Sequence, residues 1–170
     1  KADAIRTRLA KSINTKYQEN PAYYENFSKR IKEALELYKA RTITEAEYLA
    51  KMRDILEDYR TGKSAIAYPD RIRSNVHAQA FYGVLTAIFS NEKLSVEPDF
   101  AAEMALDITT IIEKHSQVDW THNLTIHDRI SQDIDDLFYR YQKERGLVLS
   151  FDVIDMIIEN VKTVALRRFA

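Results

Sequence analysis

The segment Thr61-Gly62-Lys63-Ser64 carries the residue types that end a nucleotide-binding P-loop. Such a loop wraps phosphates with its backbone N–H groups, and it needs another glycine five positions before Gly62. Glu57 occupies that position, and the residues before it have the pattern of a helix rather than of a strand. The sequence therefore favours a solvent-exposed turn after a helix, with a nucleotide site as the less favoured alternative.

The histidines and a group of aspartates have side chains that could bind a metal ion or transfer protons. Two of the histidines are five residues apart, so they do not share one helix face as residues four apart do. Surface or partly packed positions are therefore favoured over a zinc site for His77, His115, His122 and His127. The aspartates alternate with apolar residues of a long predicted helix, which favours a solvated face or an acidic docking surface for Asp128, Asp133, Asp135 and Asp136. We predict no catalytic residue, no metal ion and no cofactor in this chain.

Trp120 is the only tryptophan, and it lies in a short connection between two predicted helices. Because Trp is favoured at the centres of protein interfaces, the side chain could anchor a partner; the alternative is a lid over the core. Phosphate contacts would come from basic residues, since each neutralised phosphate adds salt-dependent affinity. The candidates for DNA contact, for which solvating surface charge is the alternative, are Arg6, Arg8, Lys11, Lys29, Arg30, Arg71, Arg73, Arg167 and Arg168.

The elements that must position these residues are helices. Only three Gly and three Pro occur in 170 residues, and apolar residues recur at spacings of three and four. We predict an all-α fold, an irregular bundle of about seven helices. The predicted helices span about 3–18, 21–39, 45–59, 74–90, 98–115, 124–145 and 152–164. Residues 1–60 are expected to form a helical arm with a hairpin, 61–73 a hinge or loop, and 74–170 a C-terminal bundle, all packing together as one domain.

The net charge of −1 is unevenly distributed. Residues 96–136 hold ten Asp or Glu against two Lys or Arg, whereas residues 1–60 hold ten against thirteen. This pattern excludes a basic surface over the whole chain but allows a local basic face. The absence of Cys excludes disulfides, and no apolar run approaches the ~20 residues needed to span a bilayer. With no visible signal peptide, we predict a cytoplasmic protein with no membrane contact, and a first residue Lys1 leads us to expect a fragment.

Three stretches together resemble one family. They are the helix Phe27–Tyr38 followed by Arg41-Thr42-Ile43-Thr44, the aromatic segment Ala80–Leu85, and the turn Val118-Asp119-Trp120-Thr121. In this order they resemble the C-terminal region of the restriction (motor) subunit of type I restriction-modification enzymes. The resemblance covers about residues 27–166, and its most specific element is Asp119-Trp120-Thr121.

The resemblance implies a division of labour. The parent subunit would cut DNA with one domain and move it with two ATP-driven domains, so that ATP and Mg²⁺ would bind outside this chain. This region would bind the methyltransferase subunit and the rest of its own subunit, and contact double-stranded DNA. Asp119, Trp120 and Thr121 would lie near the contact with the methyltransferase. The alternative is a stand-alone helical domain for protein interaction or regulation, with no role in nucleic-acid binding.

Overall fold

Seven α-helices and three short 3₁₀ turns make up the computed structural model, which describes all 170 residues and contains no strand. This confirms the predicted all-α fold. The helices are α1 (Ala2–Lys16), α2 (Pro21–Lys39), α3 (Glu45–Thr61), α4 (Val76–Asn91), α5 (Pro98–His115), α6 (Leu124–Arg145) and α7 (Phe151–Arg168). None of them is both long enough and apolar enough to cross a membrane.

Five of the seven helices, all except α1 and α5, have a side-chain cap at their first turn. Thr44 accepts a hydrogen bond from the Glu47 N–H at 3.1 Å, and the Glu47 carboxylate accepts one from the Thr44 N–H at 3.0 Å. This reciprocal arrangement is a capping box, as the Thr and Glu spacing favours, and it satisfies two N–H groups that would otherwise lack partners. Asn20 caps α2 through the N–H of Tyr23, with Pro21 at the first helical position.

Residues in the left-handed region end several helices. Gly62 closes α3 at φ 76°, and Gly146 closes α6 at φ 67°, as glycine at these positions permits. The Lys63 N–H then donates to the carbonyl of Asp58 at 2.8 Å. The Thr61–Ser64 segment is thus the C-terminal cap of a helix, which agrees with the exposed turn that the sequence favours.

The chain divides into two compact units, Lys1–Ala67 and Tyr68–Ala170, with the boundary inside the segment 61–73. The first unit packs α1, α2 and α3 around a small core that includes Leu9, Phe27 and Met52. A hydrogen bond between the hydroxyls of Tyr59 and Ser12, which lie 2.6 Å apart, links α3 to α1 beside this core.

The second unit packs α4, α5, α6 and α7 around a larger core. Helix α4 is its central element: Phe81 and Leu85 are fully buried, and even Gly83 is buried. Ile72 is also fully buried in this core. The predicted hinge therefore includes residues that belong to the packed part of the second unit.

Helices α5 and α6 form an antiparallel hairpin with polar side chains aligned across it. Each pair joins one residue of α5 to one of α6. Moving four or eight residues towards the end of α5 corresponds to moving the same number of residues towards the start of α6. The pairs are Glu103–Arg145, Asp107–Tyr141 and His115–Asp133, the first at 2.8 Å and the last at 2.6 Å. These pairs specify the register of the hairpin.

Candidate functional site

The connection between α5 and α6 holds Trp120 in the core of the second unit. The side chain is 3% exposed, and its Nε1–H donates to the backbone carbonyl of Phe169 at 2.8 Å. The carbonyl of Trp120 accepts a hydrogen bond from His127 Nε2 at 3.1 Å, and the two rings meet edge to face. The indole is therefore buried. It is not the exposed partner anchor that the sequence pattern gave as one of two interpretations. It is the lid over the core that the same pattern left open.

The same connection exposes other side chains. Val118 is 92% exposed and Leu124 is 74% exposed, although both are aliphatic. Asp119 is exposed and stands in the left-handed region at φ 60°, and Thr121 is half-buried. Of the three predicted contact residues, Asp119 and Thr121 can thus reach a partner. Sequence reasoning missed Val118 and Leu124; the available signal was an aliphatic residue at each end of a polar loop, outside any helical stripe.

Five of the nine basic candidates for DNA contact already have partners within their own unit. Four of these five have carboxylate partners, and the carboxylates compensate their charge. The pairs are Arg6–Asp3 at 3.4 Å, Arg30–Asp58 at 2.9 Å, Arg71–Asp99 at 2.7 Å with Glu103 at 3.8 Å, and Arg73–Asp70. In the fifth, Arg168 Nε donates to His77 Nδ1 at 3.0 Å.

The contact with Arg168 also explains the state of His77. Burial lowers the pKa of His77 below its ordinary value, and the nearby positive charge of Arg168 lowers it further, while Glu113 acts in the opposite direction. A neutral ring with an unprotonated Nδ1 is the form that accepts the Arg168 hydrogen bond. His77 is thus a structural acceptor at the start of α4.

The other four basic candidates are exposed and have no ion-pair partner. They are Arg8, Lys11, Lys29 and Arg167. Three of the four lie on α1 and α2 of the first unit, and Arg167 lies near the end of α7. The structure therefore distinguishes basic residues with an unpaired charge, three of which lie in the first unit, from basic residues with a partner. The sequence alone does not show this distinction.

The remaining candidate groups are dispersed. His115 bonds to Asp133, which also lies 3.6 Å from Lys114, whereas His122 is exposed. The other three aspartates of the predicted cluster, Asp128, Asp135 and Asp136, are exposed on α6. No three His, Asp or Glu side chains come together in an arrangement that could hold a metal ion.

Comparisons with known proteins identify a family for this chain. Residues 1–165 match the family described as "Type I restriction enzyme HindI endonuclease subunit-like, C-terminal". The chain is also 25% identical over 127 residues to the type I restriction enzyme HindI endonuclease subunit of Haemophilus influenzae. That match covers 75% of this chain but only 12% of the relative's length. No solved structure matches the chain.

The family match extends over nearly the whole chain and includes the first helix, for which the sequence analysis found no resemblance. It also includes the Arg41–Thr44 turn and the Asp119–Thr121 turn. The chain therefore belongs to the family of C-terminal regions of type I restriction enzyme endonuclease subunits similar to that of HindI.

Proposed function

We propose that this chain is a non-catalytic assembly domain that binds the methyltransferase subunit of a type I restriction enzyme. The observation that carries the proposal is the α5–α6 connection, where Val118 and Leu124 are exposed on a turn that Trp120 braces from below. We define residues 118–124 as the docking loop. Single exposed aliphatic residues are common, but two on one short braced turn are the pattern of a contact surface.

The contacts of Trp120 affect the conformational entropy that the docking loop loses on binding. Ordering a flexible side chain or loop on association costs about 0.5–1.5 kcal/mol for each immobilised group. The bonds from Trp120 to Phe169 and from His127 to the Trp120 carbonyl hold the loop in one conformation before a partner arrives. The docking loop therefore presents its aliphatic side chains with little further loss of conformational entropy.

The charges beside the docking loop indicate the chemistry of the partner. Glu113, Asp119 and Asp128 are all exposed, and each lies within the loop or within five positions of it. Potentials across protein interfaces tend to be complementary. Exposed Lys114 and Arg129 lie within the same distance along the chain, so we expect a shallow apolar pocket whose rim carries charges of both signs on the methyltransferase subunit.

Co-purification with the methyltransferase subunit tests the proposal. Val118→Asp and Leu124→Asp should each reduce the captured methyltransferase by about tenfold or more, because each places a charge in an apolar contact. Val148→Asp is the matched control, because Val148 is an exposed aliphatic residue (84%) in another connection of the same unit. Equal capture by all three variants would remove the docking loop from the interface, and no capture by the unmodified chain would refute the assembly role.

We also propose that the parent subunit is an ATP-dependent DNA translocase as well as an endonuclease, that it acts in the cytoplasm, and that ATP and Mg²⁺ bind outside this chain. This chain would then also pack against the rest of its own subunit. Support comes from the family and from the short match to a much longer relative. A stand-alone interaction domain remains the alternative, and it would be favoured if the longer subunit assembled normally without residues 1–170.

Contact with double-stranded DNA is a second candidate function. The observation that favours it is the set of exposed cations without ion-pair partners on α1 and α2. Residues 4–18 contain four Lys or Arg and no Asp or Glu. Binding of the 170-residue chain to a labelled duplex, with affinity that falls steeply as salt rises, would support this function. A signal that does not change over the whole protein titration would refute it.

A further inference from the structure

Helices α1 and α2 border one groove of the first unit, and both carry free cations. On α1, residues three apart are neighbours on the helix surface, so Arg8, Lys11 and Asn14 follow one another along a ridge. On α2, Lys29 and Lys32 are neighbours by the same rule. All four of these Lys and Arg side chains are exposed without an ion-pair partner.

The groove lies between α1 and α2 and has a volume of about 240 Å³. Four polar side chains line it, and all four can donate hydrogen bonds: Arg6, Asn14, Ser28 and Lys32. No carboxylate lines it, and Ile13, Ile31 and Leu35 contribute apolar surface. A groove with donors and cations but no acid is chemically matched to an anion.

The acidic residues nearest the α1 end of this surface are already engaged. Asp3 is the only acid on α1, and its carboxylate accepts from Arg6 at 3.4 Å and from the Tyr48 hydroxyl at 3.2 Å. Like charges on adjacent positions, such as Arg8 and Lys11, repel each other in the free protein. An anion that bridges them would remove this repulsion, which makes the ridge more favourable when occupied.

We propose that the phosphodiester backbone of double-stranded DNA binds across α1 and α2 at this groove. This proposal rests on the DNA contact proposed above and assigns it a surface. Lys32 contacts a phosphate from the α2 wall of the groove, and Lys11 contacts one from the surface of α1 outside it. Asn14 and Ser28 donate hydrogen bonds from the walls of the groove. Arg8 extends the positive surface along α1, whereas on α2 the exposed Glu25 and Glu33 lie four positions from Lys29. Because these groups recognise phosphate and not base edges, the contact carries no sequence preference.

Fluorescence anisotropy of the 170-residue chain with a labelled duplex at several salt concentrations tests this surface. Lys11→Ala and Lys32→Ala should each weaken binding several-fold and reduce the slope of log affinity against log salt by about one. The double variant should lose about twice as much slope. Lys63→Ala is the matched control, because Lys63 is an exposed lysine of the same unit that lies on neither α1 nor α2, and it should leave the slope nearly unchanged.

The possible outcomes separate the two proposals. No detectable binding of the duplex by the unmodified chain would refute the DNA contact itself. Binding that Lys11→Ala and Lys32→Ala weaken no more than Lys63→Ala does would overturn only the assignment to the groove. Polyglutamate tests whether the ligand is an acidic protein surface instead: if it displaces the duplex as well as unlabelled DNA does, the phosphodiester assignment is wrong. Restored affinity in Lys11→Arg would support a charge contact rather than a structural effect.

Discussion

The indole nitrogen of Trp120 donates a hydrogen bond of 2.8 Å to the backbone carbonyl of Phe169, 49 positions further along the chain. This bond ties the α5–α6 connection to the end of α7. The Phe169 ring in turn lies 4.3 Å from the His77 ring, measured between centroids, and stacks against Phe81 of α4. Through Phe169, this hydrogen bond thus links the loop of the proposed interface to two helices of the second unit, α7 and α4.

Trp120→Phe should test this link. The variant keeps an aromatic ring in the core but removes the donor to Phe169, so we expect the free energy of unfolding to fall by about 1–2 kcal/mol. Trp120→Ala should cost about 3–5 kcal/mol, because it also leaves a cavity. Urea denaturation measures both, with His122→Ala as a control on an exposed neighbour. Unchanged stability of Trp120→Phe would contradict the importance of the bond.

Tyr141→Phe should destabilise the α5–α6 hairpin. The Tyr141 hydroxyl donates to the Asp107 carboxylate, and the side chain is 3% exposed. Burial raises the pKa of Tyr141 well above its ordinary value, and the bond to Asp107 raises it further, so the hydroxyl remains a donor at neutral pH. Hydrogen bonds to charged groups contribute about 1.5–3 kcal/mol, and we expect a loss in that range by urea denaturation.

The control for this variant is on the same helix. Tyr139 is 60% exposed, and Tyr139→Phe should change the free energy of unfolding by less than about 0.5 kcal/mol. Losses of equal size in the two variants would mean that the hydroxyl of Tyr141 has no special contribution.

His77→Asn should change how stability depends on pH. Burial and the charge of Arg168 lower the pKa of folded His77, so the unfolded chain takes up this proton first as pH falls. Stability from this group is therefore present above about pH 6.5 and is lost as pH falls below it. In His77→Asn, whose side chain can still accept from Arg168, this part of the loss should be absent. Urea denaturation at about pH 7.5 and about pH 5.5, each ~1 unit from the ordinary histidine pKa, measures the difference. Parallel behaviour of the two proteins would contradict the prediction.

Lys93→Gly should raise stability. Lys93 follows the end of α4 in the left-handed region at φ 56°, a conformation that glycine adopts without steric strain. Relief of that strain, less the greater flexibility of glycine in the unfolded chain, should raise the free energy of unfolding by about 0.5–1 kcal/mol. The neighbouring Glu92→Gly has the opposite expectation, because Glu92 is at φ −88° and gains nothing from glycine. Thermal denaturation that ranks the two variants in the reverse order would contradict the argument.

Local features of the fold were predictable because short-range interactions determine them. The capping box of Thr44 and Glu47, the first-turn position of Pro21 and the terminal cap at Gly62 each depend on residues within a few positions. The apolar spacing of residues 76–88 likewise favours a buried position for Phe81 and Leu85, and both are fully buried. These signals determine where helices begin, end and face their own core.

Features that depend on long-range pairing were not predictable. Arg71 forms two hydrogen bonds with Asp99, 28 positions away, and nothing local to either residue indicates that their charges cancel. Trp120 had two consistent interpretations, lid or anchor, and only the position of Phe169 distinguishes them. Lys32 was not among the predicted DNA contacts. It lies on an ordinary amphipathic helix, and its position across the groove from α1 exists only in the folded chain.

The pairs that align α5 with α6 allow the connection between these helices to vary in length. All three join residues within the helices, so register does not depend on how many residues separate His115 from Leu124. A longer connection would raise the entropy cost of closing this loop on folding by only about 0.6 kcal/mol for each doubling of its length. The connection could therefore be lengthened on either side of Trp120 while the helical scaffold beneath stays the same.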